Sequence, residues 1–192
     1  MGGVNMTSLN LPLAKYATLE TSRLTLRPIQ LSDAADMFEY ASDPKVIEYV
    51  SFEQHQTLAD TQKAIADHFM VAPLGRFGII HRQTNKFIGT ISLMDLTPHG
   101  AEIGYVLNRK FWGQGLAPEA AQALLELAFQ HLDLKYIQAY QLTSNPQSAR
   151  VLEKIGLKCI GTLPNYLPSA AGMLDTNLWM ITQAEYTAST PH

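Results

Sequence analysis

A single cysteine, Cys159, is present in the 192-residue chain. No internal disulfide can form, a zinc site of paired Cys and His has no residues to build it, no metal is expected, and a reducing cytoplasm is the expected setting. An excess of charge is lacking as well, since 14 Lys and Arg face 17 Asp and Glu, so no nucleic-acid partner is expected. At 46% hydrophobic residues the chain has material for a core, which speaks against disorder. Long apolar runs are missing, and with them the case for a membrane partner. Met1 to Ala17 do not have the basic-then-apolar order of a secretory signal. Met6 stands where a myristoylation motif on Gly2 needs Ser or Thr, and could equally be the native start. Repeats and low-complexity linkers are absent. One domain is expected over residues 19–186, between a leader at 1–18 and a tail at 187–192, as a monomer or homodimer.

What is present is periodic. Arg23 to Pro28 alternates polar and apolar residues as a short strand. Ser32 is placed to cap a helix through Tyr40 that buries Ala35, Phe38 and Ala34 and sets Asp33 against the positive end of its dipole, with Asp43-Pro44 ending it. Leu58 to Met70 reads as a second amphipathic helix with Ile65 and Phe69 inward. Phe77 to His81 and Lys86 to Asp95 form a hairpin over Arg82-Gln83-Thr84-Asn85. Ala101 to Leu107 extends the meander, with Glu102, Gly104 and Val106 on one face and Ala101, Ile103, Tyr105 and Leu107 on the other. From Pro118 to His131 helical spacing aligns Ala117, Ala121, Leu124, Leu125 and Ala128. Tyr136 to Thr143 is a strand. Asn145-Pro146 opens a helix with Val151, Leu152 and Ile155 inward and Gly156 as its stop. Leu157 to Leu163 and Leu174 to Thr182 close the sheet. The result is an α/β domain with a mixed, mostly antiparallel sheet and helices on its faces.

The sharpest local signal is Lys110-Phe111-Trp112-Gly113-Gln114-Gly115-Leu116-Ala117, between a strand and a helix. Such a loop aims several backbone N–H groups at one anion, and its glycines let a phosphate approach; two glycines before a helix are also met in plain tight turns. The Rossmann pattern is incomplete because Glu119 and Ala120 follow where a third glycine belongs, and no Gly-Lys-Ser/Thr of a P-loop occurs.

Glu102-Ile-Gly-Tyr-Val-Leu followed by Arg109-Lys-Phe-Trp-Gly-Gln-Gly-Leu-Ala-Pro-Glu-Ala resembles the acetyl-CoA-binding core of the GNAT superfamily, in its Rim-like ribosomal-protein-alanine N-acetyltransferase branch. Thr21-Ser-Arg-Leu-Thr-Leu-Arg-Pro, Ile88-Gly-Thr-Ile-Ser-Leu and Asn145-Pro-Gln-Ser-Ala-Arg-Val-Leu-Glu-Lys-Ile-Gly-Leu agree, so the resemblance runs in order from Leu19 to Tyr186. It implies a sheet splayed between the strand ending at Leu107 and the strand from Tyr136, with pantetheine in the splay. The pantetheine amides would meet Ile103, Tyr105, Val106 and Leu107, and the pyrophosphate would meet Lys110, Trp112, Gly113, Gln114, Gly115, Leu116 and Ala117. Lys110 departs from the Arg or Gln usual at that position, keeping the charge but not a two-pronged geometry. Asn145 is a helix cap that in such enzymes also faces the cofactor arm. Ser148 would lie near the thioester sulfur, and Leu152 stands where many relatives carry a proton-donating tyrosine.

Glu102 is the candidate general base, acting through water, with a surface carboxylate as the alternative reading. A backbone amide near Tyr105 or Val106 would stabilise the oxyanion. His99 and Asp95 lie in the loop before Glu102 and read either as a proton relay or as solvated loop. Cys159 reads as a small apolar residue packed in a strand. Tyr166 and Asp175 are acceptor-side candidates, with residues 45–56 and 164–173 as walls of the acceptor cleft. The expected reaction moves acetyl from acetyl-CoA to a primary amine, with a peptide or protein α-amine favoured. A small-molecule amine acetyltransferase and a non-catalytic acyl-CoA sensor are the rivals.

Overall fold

The computed structural model describes residues 7–169 and 172–189. Eight strands form one sheet: β1 (Leu19–Glu20), β2 (Leu24–Arg27), β3 (Arg76–His81), β4 (Lys86–Met94), β5 (Gly100–Leu107), β6 (Tyr136–Leu142), β7 (Lys158–Ser169) and β8 (Gly172–Thr182). Their spatial order is β1-β2-β3-β4-β5-β6-β8-β7. Neighbours pair antiparallel except β5 and β6. A parallel pair needs a crossover, and α5 (Leu116–Glu126) supplies it, continuing as a wider helical turn over Leu127–His131.

Helices cover both faces. On one side α5 and α6 (Pro146–Lys154) pack Leu116, Ala120, Ala121, Leu124, Leu125 and Leu152 into the main core. Leu9 and Leu13 of α1 (Thr7–Lys15) join that core, as does Tyr186 of α7 (Gln183–Ser189), so the stretches before residue 19 and after 182 contribute buried apolar surface. On the other side lie α2 (Ala34–Ala41), α3 (Pro44–Ile47) and α4 (Leu58–Ala64), with Met37, Tyr40, Val46 and Ile65 against Ile80 and Phe87. Trp112 packs against both cores.

Two local expectations change. Ser32 does not cap α2: a 3₁₀ turn over Leu31–Asp33 precedes it, and Asp33 is drawn inward to Arg27, Oδ1 lying 2.7 Å from Nη2. The helix therefore turns Ala34, Met37, Tyr40 and Ala41 inward, while Ala35 is exposed. Cys159 is exposed rather than packed, because β7 is the outermost strand of the sheet.

The start of the domain is fastened to α5 through Glu119. Its Oε1 accepts from Thr21 Oγ1 (2.6 Å), the Arg23 amide (2.9 Å) and Ser22 Oγ (3.0 Å), and its Oε2 accepts from Arg23 Nε (2.6 Å). Burial alone would raise this carboxyl, but those hydrogen bonds hold it down at about 2. A folded-state value below the ordinary 4.5 means that Glu119 contributes stability fully present above that pH and lost as pH falls toward 2. Glu119→Gln is expected to cost on the order of 1–3 kcal/mol at pH 7. In urea titrations the variant and wild type should converge as the pH is lowered through that window; a constant gap would mean that Glu119 is not the titrating group.

Candidate active site

The sheet forks at its centre. β5 and β6 pair only at Gly100–Tyr136, Ala101–Ile137 and Glu102–Gln138. Beyond that, β5 stays with β4 as far as Leu107 and β6 stays with β8 as far as Leu142. The Asn108 amide donates to Ile88 O at 2.7 Å, so the alternation of an antiparallel ladder turns Val106 and Gly104 toward β4. The C=O of Ile103 and the N–H and C=O groups of Tyr105 and Leu107 then face the fork, the Ile103 N–H being used by the last rung of the ladder to β6. Of the two amides considered for an oxyanion, Tyr105 is the one on the open side. Leu107 O is occupied by the Trp112 indole N–H at 2.7 Å.

The loop after β5 has the form of an anion nest. Gly113 and Gly115 adopt φ of 73° and 75°, a region costly for residues with a Cβ. The amides of Gly113, Gln114 and Gly115 donate to no acceptor among the described residues. They sit at the N-terminus of the 11-residue α5, where the helix dipole adds to their field. Leu116 is buried in the core and offers the loop only its backbone. Lys110 turns away to Glu39 on α2, which also holds Lys86. Lys110 first, then Lys86, lowers the Glu39 carboxyl.

Across the fork, Asn145 caps α6 by accepting from the Ser148 amide at 3.0 Å. The Tyr105 hydroxyl reaches over from β5 to Ser148 Oγ at 2.9 Å. Burial raises Tyr105 to about 12, so it stays protonated and can donate. The turn before α6 is fixed from beneath by Gln141, buried on β6. Its Nε2 donates to Asn145 O (2.9 Å) while its Oε1 accepts from Asn177 Nδ2 (3.1 Å) and Trp179 Nε1 (3.2 Å).

Glu102 occupies the last paired position before the fork, flanked in register by Met94 and Gln138. It is half-buried, and burial first, then the charge of Asp95, raises its carboxyl. Met94 leans over Gly104, where an added Cβ would lie 2.5 Å from its Cε. Gln138 Nε2 contacts the Tyr140 hydroxyl at 3.5 Å, and the Tyr140 ring stacks on Tyr166 at 5.2 Å. A hydrogen bond with Tyr166, then burial and the charges of Tyr166, Glu102 and Asp95, push Tyr140 up to about 12.

The fork thus brings together Glu102, Ile103, Tyr105, Leu107, the Gly113–Gly115 loop, Asn145 and Ser148. Val106 packs toward the α2 side. His99 is exposed, and its carbonyl receives the Lys135 amide at the base of β6. Asp175 accepts from the Asn165 amide at 2.8 Å and shapes the β7 bend. Residues 170 and 171 of the expected cleft wall lie outside the described residues. Sequence reasoning missed Arg23, Glu119, Gln141 and Tyr140. The Thr-Ser-Arg run opposite a first-turn glutamate was the available signal for the first two; nothing local marked the others.

A splayed mixed sheet with an anion nest on its crossover helix is the architecture of an acyl-CoA-dependent transferase. The acetyltransferase (GNAT) domain matches residues 23–158, and the chain belongs to that family: it is an acetyl-CoA-dependent N-acetyltransferase. It is 34% identical over 174 residues to the uncharacterized N-acetyltransferase p20 of Bacillus licheniformis, covering 88% of this chain and 98% of that one. A GNAT-family acetyltransferase from Bacillus anthracis superposes with a TM-score of 0.80 at 29% identity, over 87% of this chain and 99% of its own. The same fold, at 18% identity and a TM-score of 0.76 over 86% and 97% of the two chains, is found in RimL, a ribosomal L7/L12 α-N-protein acetyltransferase in complex with coenzyme A.

A Cβ on Gly113 would meet nothing within 4 Å, and Asn and Asp tolerate its positive φ about equally. Gly113→Asp and Gly113→Asn therefore differ chiefly in charge. Both are expected to fold, with acetyl-CoA bound roughly tenfold or more weakly by the Asp variant than by the Asn variant. Equal affinities by calorimetry would show that the phosphates lie elsewhere.

Proposed function

We propose that the protein transfers acetyl from acetyl-CoA to an α-amino group, most simply that of a peptide or protein N-terminus. Acetyl-CoA and amine bind together. Glu102 receives the ammonium proton through water, the amine attacks the thioester carbonyl, and the Tyr105 amide faces the developing oxyanion. Ser148, with the Tyr105 hydroxyl behind it, serves the leaving thiolate.

The observation that carries this reading is the position of the two polar groups relative to β5. Glu102 is on the face of Gly104 and Met94, whereas Tyr105 points to Ser148 on α6. A thioester threaded through the fork would have a proton acceptor on the side the amine enters and a hydroxyl on the side the thiolate leaves. The raised Glu102 carboxyl suits a base better than a solvated one.

The preference for an α-amine follows from proton availability. With a pKa of about 7.7–8.0 it is roughly 10% neutral at pH 7, against well under one part in a thousand for lysine at about 10.4. The stacked Tyr140 and Tyr166 have Glu102, Asp95 and Asp175 as neighbouring acids among the described residues, with Asp175 engaged by the Asn165 amide, which is short of the dense acidic lining that a polyamine demands. RimL, which acts on a protein α-amine, has the same fold.

Glu102→Gln should lower kcat by roughly 10²-fold with acetyl-CoA affinity little changed. The Glu102 limb of the wild-type pH profile, on which rate falls as acid protonates a base whose pKa lies above the ordinary 4.5, should vanish in the variant. An unaltered profile would assign the proton to another group. The acceptor is tested by free-thiol release with an Ala- or Ser-initiated peptide, the same peptide blocked at its N-terminus but carrying lysine, and spermidine. Comparable turnover of either of the last two would overturn the α-amine preference.

A further inference from the structure

Arg23 lies in the turn between β1 and β2, outside the fork, yet it touches the loop that the reading above assigns to the pyrophosphate. Its Nε is held by Glu119 Oε2 at 2.6 Å and its Nη1 donates to Gln114 O at 2.9 Å. Glu119 is itself immobilised by Thr21, Ser22 and the Arg23 amide. The guanidinium is therefore fixed at both ends rather than free in solvent.

The consequence lies in the peptide it grips. No cis peptide occurs among the described residues, and in a trans peptide C=O and N–H point in opposite directions. With Gln114 C=O directed at Arg23, the N–H of Gly115, which belongs to the same plane, is directed away from Arg23. That N–H has no acceptor among the described residues. Gly115, at positive φ on one side of this peptide, leaves the plane free to flip unless something holds it. A charge-assisted hydrogen bond at its oxygen holds it and polarises its N–H. Pairing with Arg23 also neutralises Glu119, which would otherwise set a negative charge in the first turn of the helix that receives the anion.

We propose that Arg23 is a positioning residue for the nucleotide end of acetyl-CoA: anchored by Glu119, it locks the Gln114–Gly115 peptide with its N–H presented to the pyrophosphate. The inference rests on the reading of this loop as the pyrophosphate cradle.

The test compares acetyl-CoA with acetyl-pantetheine, which keeps the thioester and arm but lacks the pyrophosphate and nucleotide. In Arg23→Gln, kcat/KM for acetyl-CoA should fall roughly tenfold, the scale of one ordered hydrogen bond, while kcat/KM for acetyl-pantetheine stays within about twofold of wild type. Arg23→Lys, which can still send one donor to Gln114 O, should recover part of the loss. In the wild-type protein the Gly115 amide resonance should move downfield with CoA and not with pantetheine, and the shift should shrink in Arg23→Gln. Unchanged kcat/KM for acetyl-CoA in a folded Arg23→Gln variant, or equal losses for both donors, would overturn the proposal. A wild-type Gly115 amide indifferent to CoA would instead bring down the cradle reading, and with it this inference.

Discussion

Among the described residues, three residue pairs, Gly100–Tyr136 to Glu102–Gln138, make up the ladder between the two halves of the sheet. That short parallel ladder is the constraint on which the site depends. Parallel strands require a crossover, and the crossover brings α5, with its glycine loop, to the point where β5 ends. Because the ladder stops at Glu102, the edge of β5 from the Ile103 carbonyl to Leu107 presents backbone groups that the sheet does not satisfy. An unpaired edge inside a fold calls for a partner with peptide-like donors and acceptors. The arm of acetyl-CoA, which carries two amides, has that chemistry.

Side chains brace the two arms of the fork, and one spans it. Trp112 takes Leu107 O and packs into both cores, Tyr105 spans to Ser148, and Gln141 ties α6 to β8 through Asn145, Asn177 and Trp179. Alternation along β5 sorts what the two sides of the gap contain. Even-numbered residues carry the carboxylate and the small glycine toward the α2 side. Odd-numbered residues carry Tyr105 toward α6. A carboxylate and a hydroxyl on opposite sides of one strand is a consequence of period two, not of a special backbone.

That alternation was legible in the sequence, since Glu102, Gly104 and Val106 read as one face, and the succession of the main strands along the chain, the glycine loop before α5 and the α6 cap followed from local patterns. What was not legible came from long-range partners. The inward face of α2 depends on Asp33 being drawn to Arg27. The exposure of Cys159 depends on β7 taking the sheet edge, with β8 inserted between it and β6. Arg23 and Glu119 are 96 positions apart, and each alone reads as an ordinary surface charge. Lys110 looked like the cation of the loop, and only the presence of Glu39 on α2 turns it aside.

The last point bears on how an anion is held. Arg23, Lys86, Arg109 and Lys110 surround the loop and the strand ends near it, and each is paired with an acid: Glu119, Glu39, Asp43 and Glu39 again. The field that a pyrophosphate would meet is therefore supplied mainly by backbone N–H groups and the α5 dipole, with charged side chains acting from behind. Dipoles fixed in place need no reorganisation when the anion arrives, and they hold it less tightly than a cluster of unpaired cations would. An enzyme that must release coenzyme A on every turnover gains from that restraint. On the proposed reading of this loop, recognition rests on the geometry of a few oriented amides.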